Sequence, residues 1–180
     1  MVRPFAAKVE RIVFKPVDGL ALGLFRLLWG LLMCLEANWL HNQLRDLHHP
    51  DVLHFHHQGF SWIRHFPAGW MMELEMVAML LSAILVALGM WFRPAAILLT
   101  LTYAHFFFAE AASYNNHFYL IVLVNFLLLT TQADRKCSLR EWVGRKKGIS
   151  VGPVPRWNYL ILQLQRSEER RVGKECRSRW

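Results

Sequence analysis

An all-α, multipass transmembrane helical bundle, with four complete spans and the start of a fifth, is the architecture this sequence implies. Three observations carry that expectation. First, the 180-residue chain is 54% hydrophobic and 19% charged, with a mean hydropathy of +0.21. Soluble domains sit at about 45–50% apolar and about 25% charged. Second, the apolar residues are gathered into runs. Residues 76–92, 94–109 and 111–133 carry no formal charge over 17, 16 and 23 positions. A helix needs roughly 17–25 residues to cross ~30 Å of hydrocarbon, and each run reaches that once its flanks are added. Third, none of the runs alternates with period two, which excludes an outer-membrane barrel. Disordered and small disulfide-rich secreted classes are excluded by the same composition.

The first span is placed at 19–40, interrupted by Arg26 and Glu36, with Asp18 after Pro16 as its N-terminal capping signal. Spans two and three follow at 72–92 and 94–111. Arg93-Pro94 separates them by almost nothing, so they form a tight hairpin. A turn near 113–116 leads into the fourth span at 116–133. Residues 132–156 read as a basic loop containing glycine and proline, and Trp157 opens a fifth apolar helix over 157–165.

The last fifteen residues, 166–180, stand apart. RSEERRVGKECRSRW has no apolar periodicity and resembles one translated reading frame of a sequencing-library adapter. It is set aside as a non-native tail, a genuine basic tail being the competing reading. On the first reading the native protein continues past Gln165, and residues 1–165 form a truncated membrane domain. The tail holds six basic and three acidic residues, so removing it lowers the net charge of +8 by three. The basicity therefore gives no ground for nucleic-acid binding. Cys34 and Cys137 remain, and no disulfide framework follows.

Orientation follows from lysine and arginine in the short loops. The N-terminal segment, the 93 turn and the 132–156 loop together hold twelve basic residues, against Arg45 and Arg64 on the other side of a four-span layout. The N-terminus is expected in the cytoplasm, with the first span a signal anchor.

Ionisable groups at membrane depth are costly and are functional candidates by default. Arg26 lies within reach of the cytoplasmic headgroups and reads equally as an interfacial anchor or as a substrate-binding group. Glu36, near the outer end, reads as an interfacial anchor. Asn115, Asn116 and His117 open the fourth span. His117 and Asn125 are eight residues apart and share one helix stripe. Such a set can bind a polar substrate or stabilise developing charge, and equally can cap the helix and bond to its neighbours. Six of nine histidines fall within 41–57. They faintly resemble histidine boxes, but the carboxylates and further boxes of a di-iron site are missing. That tract is read as a half-buried interfacial loop with no metal.

The run Glu110-Ala-Ala-Ser-Tyr114-Asn115-Asn116-His117-Phe118-Tyr119-Leu120 resembles the signature of the vitamin K-dependent γ-carboxylase family, also known as the horizontally transferred transmembrane domain (HTTM) family. Residues 18–30 with Phe25-Arg26, the pieces His54-Phe55, Gly59-Phe60 and Trp62, and Val154 to Tyr159 ending in Gln165 resemble other parts of it. The likeness covers 16–165, and the Asn-Asn-His block is its specific part. Glu110, Ala111 and Arg140 depart from residues common in the family.

The resemblance implies an integral-membrane carbon–carbon lyase that carboxylates glutamate. Oxidation of a reduced quinol by O2 drives removal of a γ-proton, and CO2 is captured. Reduced vitamin K or a related quinol is the implied cofactor, with O2 and CO2 as co-substrates. A glutamate-containing protein or peptide is the implied partner, beside the lipid bilayer. By resemblance His117 and Asn116 are catalytic, while Asn115, Tyr119, Asn125 and Arg26 bind substrate. The base that deprotonates the quinol is a lysine expected beyond Gln165, so residues 1–165 alone are expected to be inactive. The implied location is a bacterial inner membrane, or the endoplasmic reticulum in a eukaryote. A non-catalytic or transport-type HTTM scaffold for lipid or quinone is the alternative. A histidine-ligated metal oxidoreductase is the weaker one.

Overall fold

The computed structural model describes residues 10–44, 55, 62–63, 69–109, 116–148 and 152–163, with 43 and 44 described by backbone alone. Four apolar helices run up and down beside one another: α1 (Leu20–Leu44), α2 (Gly69–Leu88), α3 (Phe92–Ala109) and α4 (Asn116–Thr130). Each packs on the next in sequence. A 3₁₀ turn (Ala133–Arg135), a short helix α5 (Leu139–Lys146) and the helix α6 (157–163) close one end.

The shared core is built from Met33, Ala37 and Leu40 of α1, Met79 and Ala83 of α2, and Leu99 and Tyr103 of α3. The opposite faces are not polar. Leu24, Leu28, Leu31 and Leu35 form an exposed stripe along α1, and Leu74, Val77 and Leu81 another along α2. Exposed apolar stripes of this extent would be a liability in water. In a bilayer they are the required surface, because lipid tails are as apolar as leucine. Among the described residues, three helices are long and apolar enough to cross a membrane, at Leu20–Asn42, Gly69–Leu88 and Phe92–Ala109. The chain is therefore an integral membrane protein. The fourth apolar helix has 15 residues, roughly 22 Å at ~1.5 Å per residue.

The hairpin between α2 and α3 turns at residues 89–91, three positions before the expected break at Arg93-Pro94. Gly89 takes a positive φ of 68° and ends α2, while Pro94 sits inside the first turn of α3. Proline is tolerated there because the first helical N–H groups have no intrahelical acceptor. The 132–156 segment also differs from a plain loop, since it contains α5. Ser138 caps that helix by accepting from the Glu141 N–H at 3.0 Å, and the Glu141 carboxylate accepts from the Cys137 N–H at 2.9 Å. The arrangement is a variant of the capping box, with the carboxylate reaching the N–H of the residue before the cap rather than that of Ser138 itself.

The same end is tied together from distant segments. β1 (Pro16–Val17) pairs antiparallel with β2 (Val154–Pro155). Tyr159 donates its hydroxyl to the Asp18 carbonyl at 2.6 Å, and the Asp18 carboxylate accepts from the Leu20 N–H at 3.2 Å. Gln132 N–H donates to Asn158 Oδ1 at 2.8 Å. Lys15, Arg93, Lys136, Arg140, Arg145 and Arg156 thus belong to segments that meet at one end of the bundle. α1 approaches the last turn of α2 closely, where a Cβ on Gly30 would lie 2.5 Å from the Ala87 nitrogen. The expected non-native tail and residues 164–165 lie outside the described residues, as do His48, His49, His54, His56 and His57 and residues 110–115, which include most of the turn expected near 113–116.

Candidate functional site

At the end of the bundle away from α5, polar side chains of three helices lie near one another. Tyr103 of α3 is buried and donates its hydroxyl to Glu36 Oε1 of α1 at 3.1 Å. The His117 imidazole, one residue into α4, lies within electrostatic reach of the Glu36 carboxylate. Phe118 sets its ring against Tyr103, edge to face with centroids 6.4 Å apart, and against Trp39 at 6.3 Å. A carboxylate of α1 and a phenol of α3 are therefore paired beside aromatic faces, with the exposed His117 imidazole of α4 within electrostatic reach. Groups of this kind are expensive in hydrocarbon and persist where they are paired and used.

Two further carboxylate–imidazole pairs stand at this end. His105 Nδ1 of α3 is 2.6 Å from Glu75 Oε1 of α2, and His41 Nδ1 of α1 is 3.5 Å from Glu73 Oε2 of α2. His41 is thus turned towards α2. Among the described residues, no group of three or more His, Cys, Asp or Glu side chains is arranged to hold a metal ion.

The residues singled out in the sequence fall into different places. His117 is exposed at the start of α4, within electrostatic reach of Glu36. Asn125, two turns along α4, is buried and accepts from Trp29 Nε1 of α1 at 2.8 Å, with its own amide 4.0 Å from Met33 Sδ. Asn116 and Tyr119 are exposed on α4, and Asn115 lies outside the described residues. Arg26 is at the other end of the bundle. It is 0% exposed, and its three guanidinium nitrogens donate to backbone carbonyls. Nη1 reaches Val86 and Ala87, Nη2 reaches Cys137 at 2.6 Å, and Nε reaches Ala133 at 3.2 Å. Val86 and Ala87 belong to the last turn of α2, where carbonyls lack intrahelical partners and carry the negative end of the helix dipole. Arg26 therefore clamps the end of α2 to the 133–137 segment, and the structure does not bring it to the Glu36–His117 cluster.

The sequence does not single out Tyr103, Glu75 or His105, and it marks Glu36 as an interfacial anchor. Their signal was present, since each is an ionisable or hydroxyl group inside an apolar helix. What the sequence lacked was the pairing, because the partners are 67 and 30 residues apart.

Chemically, the cluster offers a hydroxyl donor, a carboxylate and an imidazole at the mouth of α4, with aromatic rings alongside. It suits a ligand that combines an aromatic or apolar body with polar substituents. No solved structure matches the chain. The family model described as the HTTM domain matches residues 14–167, which takes in α1 to α6, the Glu36–Tyr103–His117 cluster and the Arg26 clamp. The chain belongs to the HTTM domain family.

Proposed function

We propose that this chain is the N-terminal membrane portion of a γ-glutamyl carboxylase-like enzyme, in which quinol oxidation drives carboxylation of glutamate in a protein or peptide. The observation that supports the reading is that His117, from the Asn-Asn-His block, stands exposed at the start of α4 within electrostatic reach of the Glu36–Tyr103 pair. The residues fit a hydroxylated aromatic head group in kind. Tyr103 and His117 can donate to its oxygens, Glu36 can accept from them, and Phe118 and Trp39 offer rings to stack on. When bound, reduced quinol supplies, with O2, the driving force for removing the γ-proton of glutamate. The chain's own residues do the rest. Tyr103 fixes the Glu36 carboxylate in one orientation. His117 and Asn116, at the exposed start of α4, offer donors to negative charge developing on the glutamate. The lysine that acts on the quinol belongs to the segment after Gln165 in this reading. The N-terminus and the basic end of the bundle face the cytoplasm, so the His117 end opens to the opposite side.

The test is quinol-dependent incorporation of labelled CO2 into a glutamate peptide by the full-length protein in nanodiscs. His117→Ala is expected to lower incorporation by about 100-fold or more, the size seen on losing one preorganised charge-stabilising donor, with the thermal unfolding midpoint unchanged. Unchanged incorporation in this variant, or none in the wild type with quinol and O2 supplied, overturns the reading.

A further inference from the structure

A groove of about 500 Å³ runs between the 89–91 hairpin and α5, lined by Trp91, Arg93, Asp134, Arg140, Trp142 and Val143 among others. It lies where α2 ends and α3 begins, and both helices are long enough to span a membrane. The groove therefore sits at headgroup depth, whichever way the bundle is inserted. Its lining has the character of that zone. Trp91 is 77% exposed and Trp142 is 55% exposed. Trp142 also carries the Lys146 ammonium over its ring, 3.6 Å from the centroid. Tryptophans with adjacent cations mark the membrane–water interface.

Trp91 is held with φ at +44°, a backbone region disfavoured for any residue with a Cβ. Strain of this kind persists where the surroundings over-determine it, and it points to use rather than accident. The charge balance is also specific. Among the described residues, Asp134 is the only carboxylate lining the groove, and it is paired with Arg140. Arg93, which makes a loose 3.4 Å donation to the Leu129 carbonyl, leaves the groove net positive. A guanidinium matches a phosphate by paired N–H donors. The far wall is fixed, because Nη2 of buried Arg26 holds the Cys137 carbonyl just before α5.

We propose that this groove is a binding site for an anionic phospholipid, with the phosphate held at Arg93 and an acyl chain lying against Trp91, Trp142 and Val143. The site is separate from the Glu36–His117 cluster and does not depend on what that cluster does. It would fix the depth of the α2–α3 hairpin through a lipid of defined charge.

The experiment is native mass spectrometry of the full-length protein taken from mixed micelles holding equal phosphatidylglycerol and phosphatidylcholine. Preferential retention of phosphatidylglycerol is expected. Arg93→Gln should lower that retention about tenfold, the loss of one charge-assisted contact, and Trp142→Ala should lower it as well. Both variants should keep the wild-type unfolding midpoint. Excess inorganic phosphate should leave the lipid in place. Equal retention of the two lipids, displacement by phosphate alone, undiminished retention in Arg93→Gln, or a second copy of the chain cross-linked through Trp142 would each overturn the proposal.

Discussion

Arg26 shows how much a single side chain can depend on partners invisible in its own segment. From the sequence it is an arginine about two turns into an apolar helix, equally an anchor or a ligand. The carbonyls it holds lie 60 to 111 positions away, so no local pattern could reveal the clamp. Its consequence is testable. Lysine keeps the charge but offers one compact ammonium in place of a planar fork, so Arg26→Lys leaves some of four buried carbonyls without a donor. We expect a loss of about 2–3 kcal/mol, the scale of hydrogen bonds to a charged group, read as a lower thermal unfolding midpoint in detergent. An unchanged midpoint would mean that the clamp carries no stability. His117 is the opposite case. The Asn115-Asn116-His117 block was legible as a motif, but the carboxylate and phenol that give the imidazole its setting come from two other helices.

The long apolar helices were legible in position and character, because uncharged runs of 16 to 23 residues leave few alternatives. Their ends were not. The α2–α3 break falls at Gly89 because a left-handed glycine and the Arg26 clamp act there, whereas Pro94 only looks like a breaker. α5 was missed because eight residues with one tryptophan make a weak periodic signal. Ser138-x-x-Glu141 was its visible mark. Burial alone pushes the Glu141 carboxyl up, but Arg145 at 2.9 Å, the Cys137 N–H at 2.9 Å and Lys136 at 3.7 Å outweigh it and hold it below the usual carboxylate range. A depressed folded-state value means that the carboxylate stabilises α5 above about pH 4.3, the unfolded glutamate value. That contribution is lost as pH falls through the lower folded value. The unfolding midpoint of the wild type should therefore drop between pH 5 and pH 3 by more than that of Glu141→Gln, both figures bracketing roughly the carboxylate range. Equal drops in the two proteins would remove Glu141 as the source.

Taken together, the helices and their connections give the molecule two unlike ends. One gathers the basic segments, the Arg26 clamp and the interfacial tryptophans. The other gathers Glu36, Tyr103 and His117 with the Glu75–His105 and Glu73–His41 pairs. Counting lysines and arginines predicted this asymmetry from the sequence, since charge needs no contact map. The histidine pairings needed one. If the basic end is cytoplasmic, a reporter inserted after Lys147 should be active only as a cytosolic fusion, and one inserted between Leu44 and Gly69 only as an exported fusion. The reverse pattern would invert the bundle.

The most direct measurement is a double-mutant cycle on carboxylation turnover in the full-length protein, using Glu36→Gln, His117→Ala and the pair. If the two side chains form one unit, we predict that the double variant is little worse than His117→Ala alone, as for catalytic groups that act together. Strictly multiplicative losses, or a Glu36→Gln variant with wild-type turnover, would contradict a single site spanning α1, α3 and α4.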